Sequence, residues 1–279
     1  MRRRVDSLRP LRFGVSALLS VVGVSVGLYT LPRSTKVDLA LLYSRADYVS
    51  LFASHYTHFS LDHLLTNLAV FVLLEPLALG LALSADDDWL FDVATATYLL
   101  VFPPILSGLN LLVVRSRPGI GFGLSGINMA FLGLLAVALF RCLGAVDDRV
   151  HPDDALALFF VGSGIAAGLA VPLRWVSLPV VAVSTAAAAA YLYGIHRRVD
   201  GLANLGQRVH ADGHSALVAA ALIVYPGVAV AGFAPSGDAG GTVVNFYTHF
   251  LGFGLGFGAA YLTPRSEGLL DGLRSRRSR

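Results

Sequence analysis

The feature that most constrains this chain is a series of apolar stretches, each long enough to cross a lipid bilayer as a helix. A spanning helix needs about 20 mostly apolar residues. About eight such stretches occur, at 13–31, 61–83, 93–114, 124–143, 155–171, 175–195, 215–233 and 243–262. Transmembrane β-strands alternate apolar and polar side chains, whereas these stretches are apolar on all sides. The pattern predicts an all-α polytopic membrane bundle of about eight helices.

The composition supports a membrane protein and limits its partners. Of 279 residues, 55% are hydrophobic and 14% are charged, against about 25% charged in a soluble domain. Cys142 is the single cysteine, which excludes an internal disulfide and a multi-cysteine metal site, and we expect no metal or cofactor. The positive charge is almost all arginine and forms no soluble basic face. We therefore expect contact with the lipid bilayer and none with nucleic acid.

Arginines near both ends of the chain set the expected orientation. They occur within 1–12 and 263–279, and positive residues next to a span favour the cytoplasm. We expect a multi-pass protein of the cell membrane with both tails cytoplasmic, which requires an even number of spans. Arg115 and Arg117 disagree, because they would lie outside. No repeat or soluble second domain is evident, so 1–279 is expected to be one membrane domain with its core at about 13–262.

Four polar residues stand out within the apolar stretches. Ser125 opens the fourth stretch, His63 and Asn67 lie near the start of the second, and His249 lies in the first half of the eighth. From a cytoplasmic N-terminus, all three stretches run inward, so these residues would share the outer half of the membrane. Polar groups at that depth are costly unless paired or wetted. They are therefore candidates for a functional site.

Each of these residues also has a structural explanation. Serine and glycine are common where membrane helices pack closely, which would account for Ser125. His63 and Asn67 are four residues apart and share a helix face, where they would hydrogen-bond a neighbouring helix. His249 is harder to explain in this way, because a titratable group is a poor choice for packing alone.

Small residues recur at helical spacing beside both the serine and the histidine. Gly126 with Ala130 forms one stripe, and Gly252 with Gly256 forms another. Such stripes let two helix backbones approach closely. If these two helices pack on each other, the serine and the histidine come within hydrogen-bonding reach.

That arrangement would be suited to acyl transfer. A serine hydroxyl becomes a good nucleophile when an adjacent base removes its proton, and histidine is the usual base. Attack on a peptide carbonyl also needs donors for the developing oxyanion. The available donors are the backbone N–H of Ser125, the Asn67 amide and the His63 ring. No metal and no acidic third residue is required.

The sequence resembles the rhomboid family of intramembrane serine proteases. The matching motifs occur in the family's order and are His63-x-x-x-Asn67, Gly123-Leu-Ser125-Gly126 and His249-x-x-Gly252-x-x-x-Gly256. The resemblance covers roughly 55–143 and 243–262. Two features depart from the family's pattern: three predicted helices rather than one separate the serine and histidine helices, and the loop at 32–60 lacks the family's Trp-Arg pair.

The resemblance implies a rhomboid-like core and a Ser–His dyad that cleaves transmembrane protein substrates. Ser125 would be the nucleophile, and His249 would act as general base and then as general acid. His63 and Asn67 would help to bind the oxyanion. By the same resemblance, the loop beneath the scissile bond would be shaped by Gly123, Leu124 and Gly126, and His58 would be structural.

Two other functions stay open at this point. A non-catalytic rhomboid-like protein would bind or escort transmembrane clients, and such proteins typically lack the serine or the base, both of which are present here. A transporter or metal carrier would need histidines to converge with a carboxylate. Glu75 is the only glutamate before the C-terminal tail, and it lies about three turns beyond His63. The sequence carries no signal for the oligomeric state.

Overall fold

The computed structural model confirms the predicted all-α polytopic bundle. It describes residues 9–114, 119–171, 174–234 and 245–263. Within them, seven helices are long and apolar enough to cross a membrane, so this is a multi-pass membrane protein. The seven are Leu11–Tyr29, Leu61–Ser84, Asp88–Val113, Ser125–Val146, Pro152–Ala170, Arg174–Arg198 and Ser215–Phe233. Most of the arginines used for orientation, including Arg115 and Arg117, lie outside the described residues.

The helices are numbered here in chain order. They are α1 (Arg9–Tyr29), α2 (Arg33–Leu39), α3 (Tyr48–Ala53), α4 (Leu61–Ser84), α5 (Asp88–Ala96), α6 (Phe102–Val114), α7 (Ser125–Val146), α8 (Leu156–Ala170), α9 (Arg174–Arg198), α10 (Leu202–Ala211), α11 (Ser215–Phe233) and α12 (Phe246–Leu262). A π-helical turn, Thr97–Val101, joins α5 to α6 in one span. Two short strands, β1 (Leu41–Leu42) and β2 (Ile120–Gly121), pair antiparallel.

The eighth predicted stretch, 243–262, forms the helix α12. This helix has 17 residues, which at 1.5 Å per residue corresponds to about 26 Å. It is slightly shorter than the roughly 30 Å hydrocarbon core of a bilayer. Residues 243 and 244 lie outside the described part of the chain. The seven spans together with α12 agree with the expectation of about eight helices.

Helix α7 is the centre of the bundle. Every residue from Gly126 to Leu143 is buried, because α4, α11 and α12 pack around this helix. A helix that is apolar on all sides is expected to be surrounded in this way. Ser125 is the first residue of α7, so the predicted nucleophile stands at the end of the most buried helix.

The two small-residue stripes pack against each other in the structure, which meets the condition stated for them in the sequence analysis. A methyl group placed on Gly252 would lie 2.1 Å from the carbonyl oxygen of Gly126, and one placed on Gly256 would lie 2.4 Å from Ala130 Cα. The backbones of α7 and α12 are therefore in direct contact. Tyr98, from the π-helical turn, donates a 2.5 Å hydrogen bond to the Gly256 carbonyl. This bond ties the span that contains α5 and α6 to the crossing of α7 and α12.

The helices that follow α7 in the chain, α8 to α11, include the outermost helix of the bundle, α9. Helix α9 packs mainly on α8 and exposes large apolar side chains such as Trp175, Leu178 and Val183, as expected for a lipid-facing helix. The short helix α10 connects α9 to α11. Helix α11 returns to the core, where its last turn reaches α12.

Candidate functional site

His63 lies against the loop that precedes Ser125. Ser60 caps α4 by accepting a 3.3 Å hydrogen bond from the His63 backbone N–H, which places His63 in the first turn. Gly123 has a φ of +101°, and a methyl group added to it would lie 2.7 Å from His63 Cε1. Both facts require glycine at position 123. The Gly123 N–H donates to the Ser54 carbonyl at 2.8 Å and fixes the loop in place.

Ser125 is partly exposed at the N-terminus of α7. The first backbone N–H groups of a helix lack intrahelical acceptors, and they lie at the positive end of the helix dipole. The N–H groups of Ser125 and Gly126 are therefore free to stabilise a negative oxygen atom formed beside the serine.

His249 is buried on α12, and a single hydrogen bond decides its tautomer. Its Nδ1 lies 2.7 Å from the carbonyl oxygen of Gly232. A carbonyl oxygen only accepts, so Nδ1–H donates, and in the neutral ring Nε2 is the basic nitrogen. The Gly232 carbonyl is free for this bond because the last carbonyls of a helix, here α11, lack intrahelical donors. Helix α11 thus orients the candidate base.

The structure brings Ser125 and His249 to the same crossing of helices. The residue after Ser125 touches the residue before His249: a methyl group on Gly126 would lie 3.1 Å from Thr248 Cγ2. No hydrogen bond between the Ser125 hydroxyl and His249 occurs among the described residues. The predicted partners are therefore neighbours without a direct bond.

Asn67 is held on two sides. It donates from Nδ2 to the His63 carbonyl at 2.9 Å. From the other side, Asn128 Nδ2 lies 3.0 Å from the Asn67 carbonyl oxygen and 3.2 Å from Asn67 Oδ1. Sequence reasoning missed Asn128. Its signal was an amide within an apolar stretch, three residues after Ser125 and thus close to the same helix face.

Two further histidines lie at this end of the bundle. His58, expected to be structural, is fully buried and donates to the Tyr56 carbonyl at 3.2 Å. His55 is also buried, and its Nε2 lies 3.1 Å from Ser107 Oγ. Burial lowers the pKa of both histidines to about 4. Both rings are therefore neutral near pH 7.

The described residues hold no group of three or more His, Cys, Asp or Glu side chains placed to bind a metal ion. A cavity of about 390 Å³ opens at the opposite end of the bundle. Its lining includes Asp153, Asp154 and Arg198, and Asp154 is already paired with Arg198. This cavity is separate from the residues around Ser125.

Comparisons of the chain with protein-family models, with curated proteins and with solved structures found no match. The basis for a functional conclusion is therefore the set of motifs in the sequence together with the geometry that surrounds Ser125.

Proposed function

We propose that this protein is a rhomboid-like intramembrane serine protease. It hydrolyses peptide bonds in or near the transmembrane segments of other membrane proteins, with a dyad of Ser125 and His249. The observation that carries the proposal is the hydrogen bond from His249 Nδ1–H to the Gly232 carbonyl. It leaves Nε2 as the basic nitrogen on a helix whose backbone touches the residue next to Ser125.

The chemistry follows from these positions. His249 Nε2 takes the hydroxyl proton while Ser125 Oγ attacks the substrate's peptide carbonyl, and the carbonyl oxygen becomes an oxyanion. The backbone N–H of Ser125, the free N–H of Asn67 Nδ2 and the His63 ring donate to that oxyanion. The protonated His249 then gives its proton to the leaving amine, and the first product departs. A water molecule hydrolyses the acyl-enzyme by the same steps, with His249 again as base.

The serine and the histidine must move closer for this reaction. A catalytic pair works at about 2.6–3.2 Å, and the distance is often looser before substrate binds. The contact between α7 and α12 at Gly126 and Gly252 limits how far the two helices can shift. A change of side-chain rotamer at Ser125, which is partly exposed, is the simplest way to close the gap.

The proposal includes an orientation and a kind of substrate. Both termini lie in the cytoplasm, and the Ser125 end of the bundle faces outward across the cell membrane. The substrates are transmembrane helices that unwind near the cleaved peptide bond, because an intact helix hides its carbonyls in backbone hydrogen bonds. Glycine and other small residues near that bond are therefore favoured. Labelling of a Tyr48→Cys variant by an impermeant thiol reagent on intact cells checks the orientation, since Tyr48 is 93% exposed at that end.

The decisive experiment measures cleavage of a model transmembrane substrate in proteoliposomes. Ser125→Ala and His249→Ala should each lower kcat by about 10³-fold or more, as loss of either member of such a unit does. Ser184→Ala is the matched control, because Ser184 is a buried serine on the peripheral helix α9. It should retain the activity of the unaltered protein. Full activity in Ser125→Ala or His249→Ala would refute the dyad.

A second candidate function is a non-catalytic rhomboid-like protein that binds or escorts transmembrane clients. The observation that favours it is the absence, among the described residues, of a hydrogen bond between Ser125 and His249. A serine-reactive fluorophosphonate probe separates the two functions. Labelling of Ser125 that is lost in His249→Ala supports the protease, whereas no labelling of the folded protein supports the binder.

A further inference from the structure

Asn128 is a buried amide on the helix that carries Ser125. It lies three residues after the serine, and its side chain is 2% exposed. In an apolar environment an amide is costly unless its hydrogen bonds are made. Both hydrogen bonds of Asn128 Nδ2 go to one residue, Asn67 on α4, at 3.0 Å to the backbone oxygen and 3.2 Å to Oδ1. Asn128 Oδ1 is buried without a partner among the described residues, so the two Nδ2 bonds alone hold this amide.

These bonds determine which way both amides face. The Asn67 backbone oxygen can only accept, so Asn128 must turn its NH₂ group towards it. That NH₂ group in turn requires an acceptor from the Asn67 side chain, which is Oδ1. Asn67 Nδ2 then points the other way, where one hydrogen goes to the His63 carbonyl. The second hydrogen of Asn67 Nδ2 stays available.

We propose that Asn128 is a positioning residue for the oxyanion site. By occupying Asn67 Oδ1, it keeps the free N–H of Asn67 directed to the oxyanion formed at Ser125. Because Asn128 and Ser125 share α7, the bond also couples the position of this donor to that of the nucleophile. This inference rests on the proposed protease function, and it gives Asn128 a role in the rate of the chemical step.

The chain offers a matched control of the same chemistry. Asn245 Nδ2 donates to Asn110 Oδ1 at 2.8 Å, and Asn110 is buried on α6. This is also an amide pair between two elements of the bundle, but neither member bonds to Asn67. A substitution of Asn110 therefore reports the cost of losing such a pair without loss of the contact to Asn67.

The test is a double-mutant cycle measured on a transmembrane substrate in proteoliposomes. Asn67→Ala should lower kcat by about 10²-fold, the usual effect of losing one oxyanion donor. Asn128→Leu should lower kcat about tenfold with KM unchanged, as expected for a displaced donor. The double variant should be no slower than Asn67→Ala. Asn110→Leu combined with Asn67→Ala should instead show the product of the two separate effects.

Two results would overturn the positioning role. One is an Asn128→Leu protein with unchanged kcat, and the other is an Asn128 effect that multiplies with that of Asn67→Ala. If Asn128→Leu does not fold, Asn128→Ala removes the same bonds without adding a branched side chain. The Ser125→Ala protein, assayed in parallel, separates the two proposals. If Ser125→Ala is active, the protease proposal is refuted. If Ser125→Ala is inactive and the effects of Asn67→Ala and Asn128→Leu multiply, only the role of Asn128 is refuted.

Discussion

The two ends of helix α7 use polar residues in opposite ways. Around Ser125, the polar side chains of His63, Asn67, Asn128 and His249 are imidazoles and amides. At the other end, Arg141 and Asp87 form a buried ion pair. Every ion pair found among the described residues lies at this second end. The two ends are separated by 16 residues of helix, or about 24 Å.

At the charged end, ion pairs and hydrogen bonds connect several helices. Arg141 donates to Asp87 and to the carbonyl of Thr263 just beyond the end of α12. Outside the spans, Asp147 accepts from Arg149 at 3.0 Å and also from Arg208 on α10. These bonds join α5, α7, α10 and α12. The charges at this end therefore hold helices together.

At the Ser125 end, in contrast, hydrogen bonds to neighbouring helices orient His249 and Asn67. His249 is fixed at Nδ1 and keeps Nε2 for a further bond, whereas Asn67 is fixed at Oδ1 and at one N–H of Nδ2 and keeps the second N–H. The comparison teaches that paired charges connect helices at one end of α7, whereas hydrogen bonds at the other end orient a histidine and an amide near Ser125.

The largest effect on stability is expected at the charged end. Arg141→Met leaves Asp87 buried without a partner and should lower the free energy of unfolding by about 3–5 kcal/mol. Unfolding is measured by heating with a thiol-reactive dye, because Cys142 is buried and is the only cysteine. The kcat of the remaining folded protein should stay within about twofold of the unaltered value, since the pair lies far from Ser125.

The control for this prediction removes the stranded charge. Asp87→Asn combined with Arg141→Met should recover most of the lost stability, because an amide is far less costly to bury than a carboxylate. A large fall in kcat with Arg141→Met at unchanged stability would contradict the division between the two ends.

An intermediate effect is expected at the helix crossing beside the site. Gly252→Ala places a methyl group 2.1 Å from the Gly126 carbonyl and forces α7 and α12 apart, which should cost about 1–3 kcal/mol. Fluorophosphonate labelling of Ser125 should slow by at least about tenfold, because a shift of about 1 Å misplaces His249, the proposed base.

Gly254→Ala is the matched control on the same helix. A methyl group there meets nothing within 4 Å, and alanine favours helix by up to about 1 kcal/mol. This variant should label as fast as the unaltered protein and be equally or more stable. Equal labelling rates in the Gly252 and Gly254 variants would show that the crossing does not set the position of His249 relative to Ser125.

The smallest effect is expected from acid. Hydrogen bonds from Arg149 lower the pKa of Asp147 from 3.8 to about 2. Because the folded-state pKa is the lower one, this pairing stabilises the protein fully above about pH 4, and the stabilisation is lost as the pH falls towards 2. The loss of stability should be about 1 kcal/mol or less, since the two partners of Asp147, Arg149 and Arg208, are partly exposed. Helical circular dichroism on heating at pH 5 and pH 3 measures it.

Asp147→Asn provides the comparison for the acid experiment. This variant should be slightly less stable at pH 5 and should lose less stability than the unaltered protein between pH 5 and pH 3. An identical pH dependence in both proteins would show that other carboxyl groups account for the acid effect.

Much of the fold was predictable from the sequence, and the paired stripes show why. Small residues four positions apart indicate a close approach of two helices by their size and spacing alone. The chain has two such pairs, Gly126 with Ala130 and Gly252 with Gly256. In the structure, the two helices that carry these residues cross in direct contact. Asn128 and His55 were missed because their roles depend on partners from other parts of the chain. No pattern within α7 reveals that Asn67 lies opposite Asn128.

By itself, the sequence determined that this protein crosses a membrane through apolar helices, and it marked the helices that carry Ser125 and His249. Hydropathy can do this because it sums along one helix and needs no partner. Tertiary structure alone decided which nitrogen of His249 is basic. The bond that decides it comes from Gly232 on α11, and only packing brings a helix end to that ring.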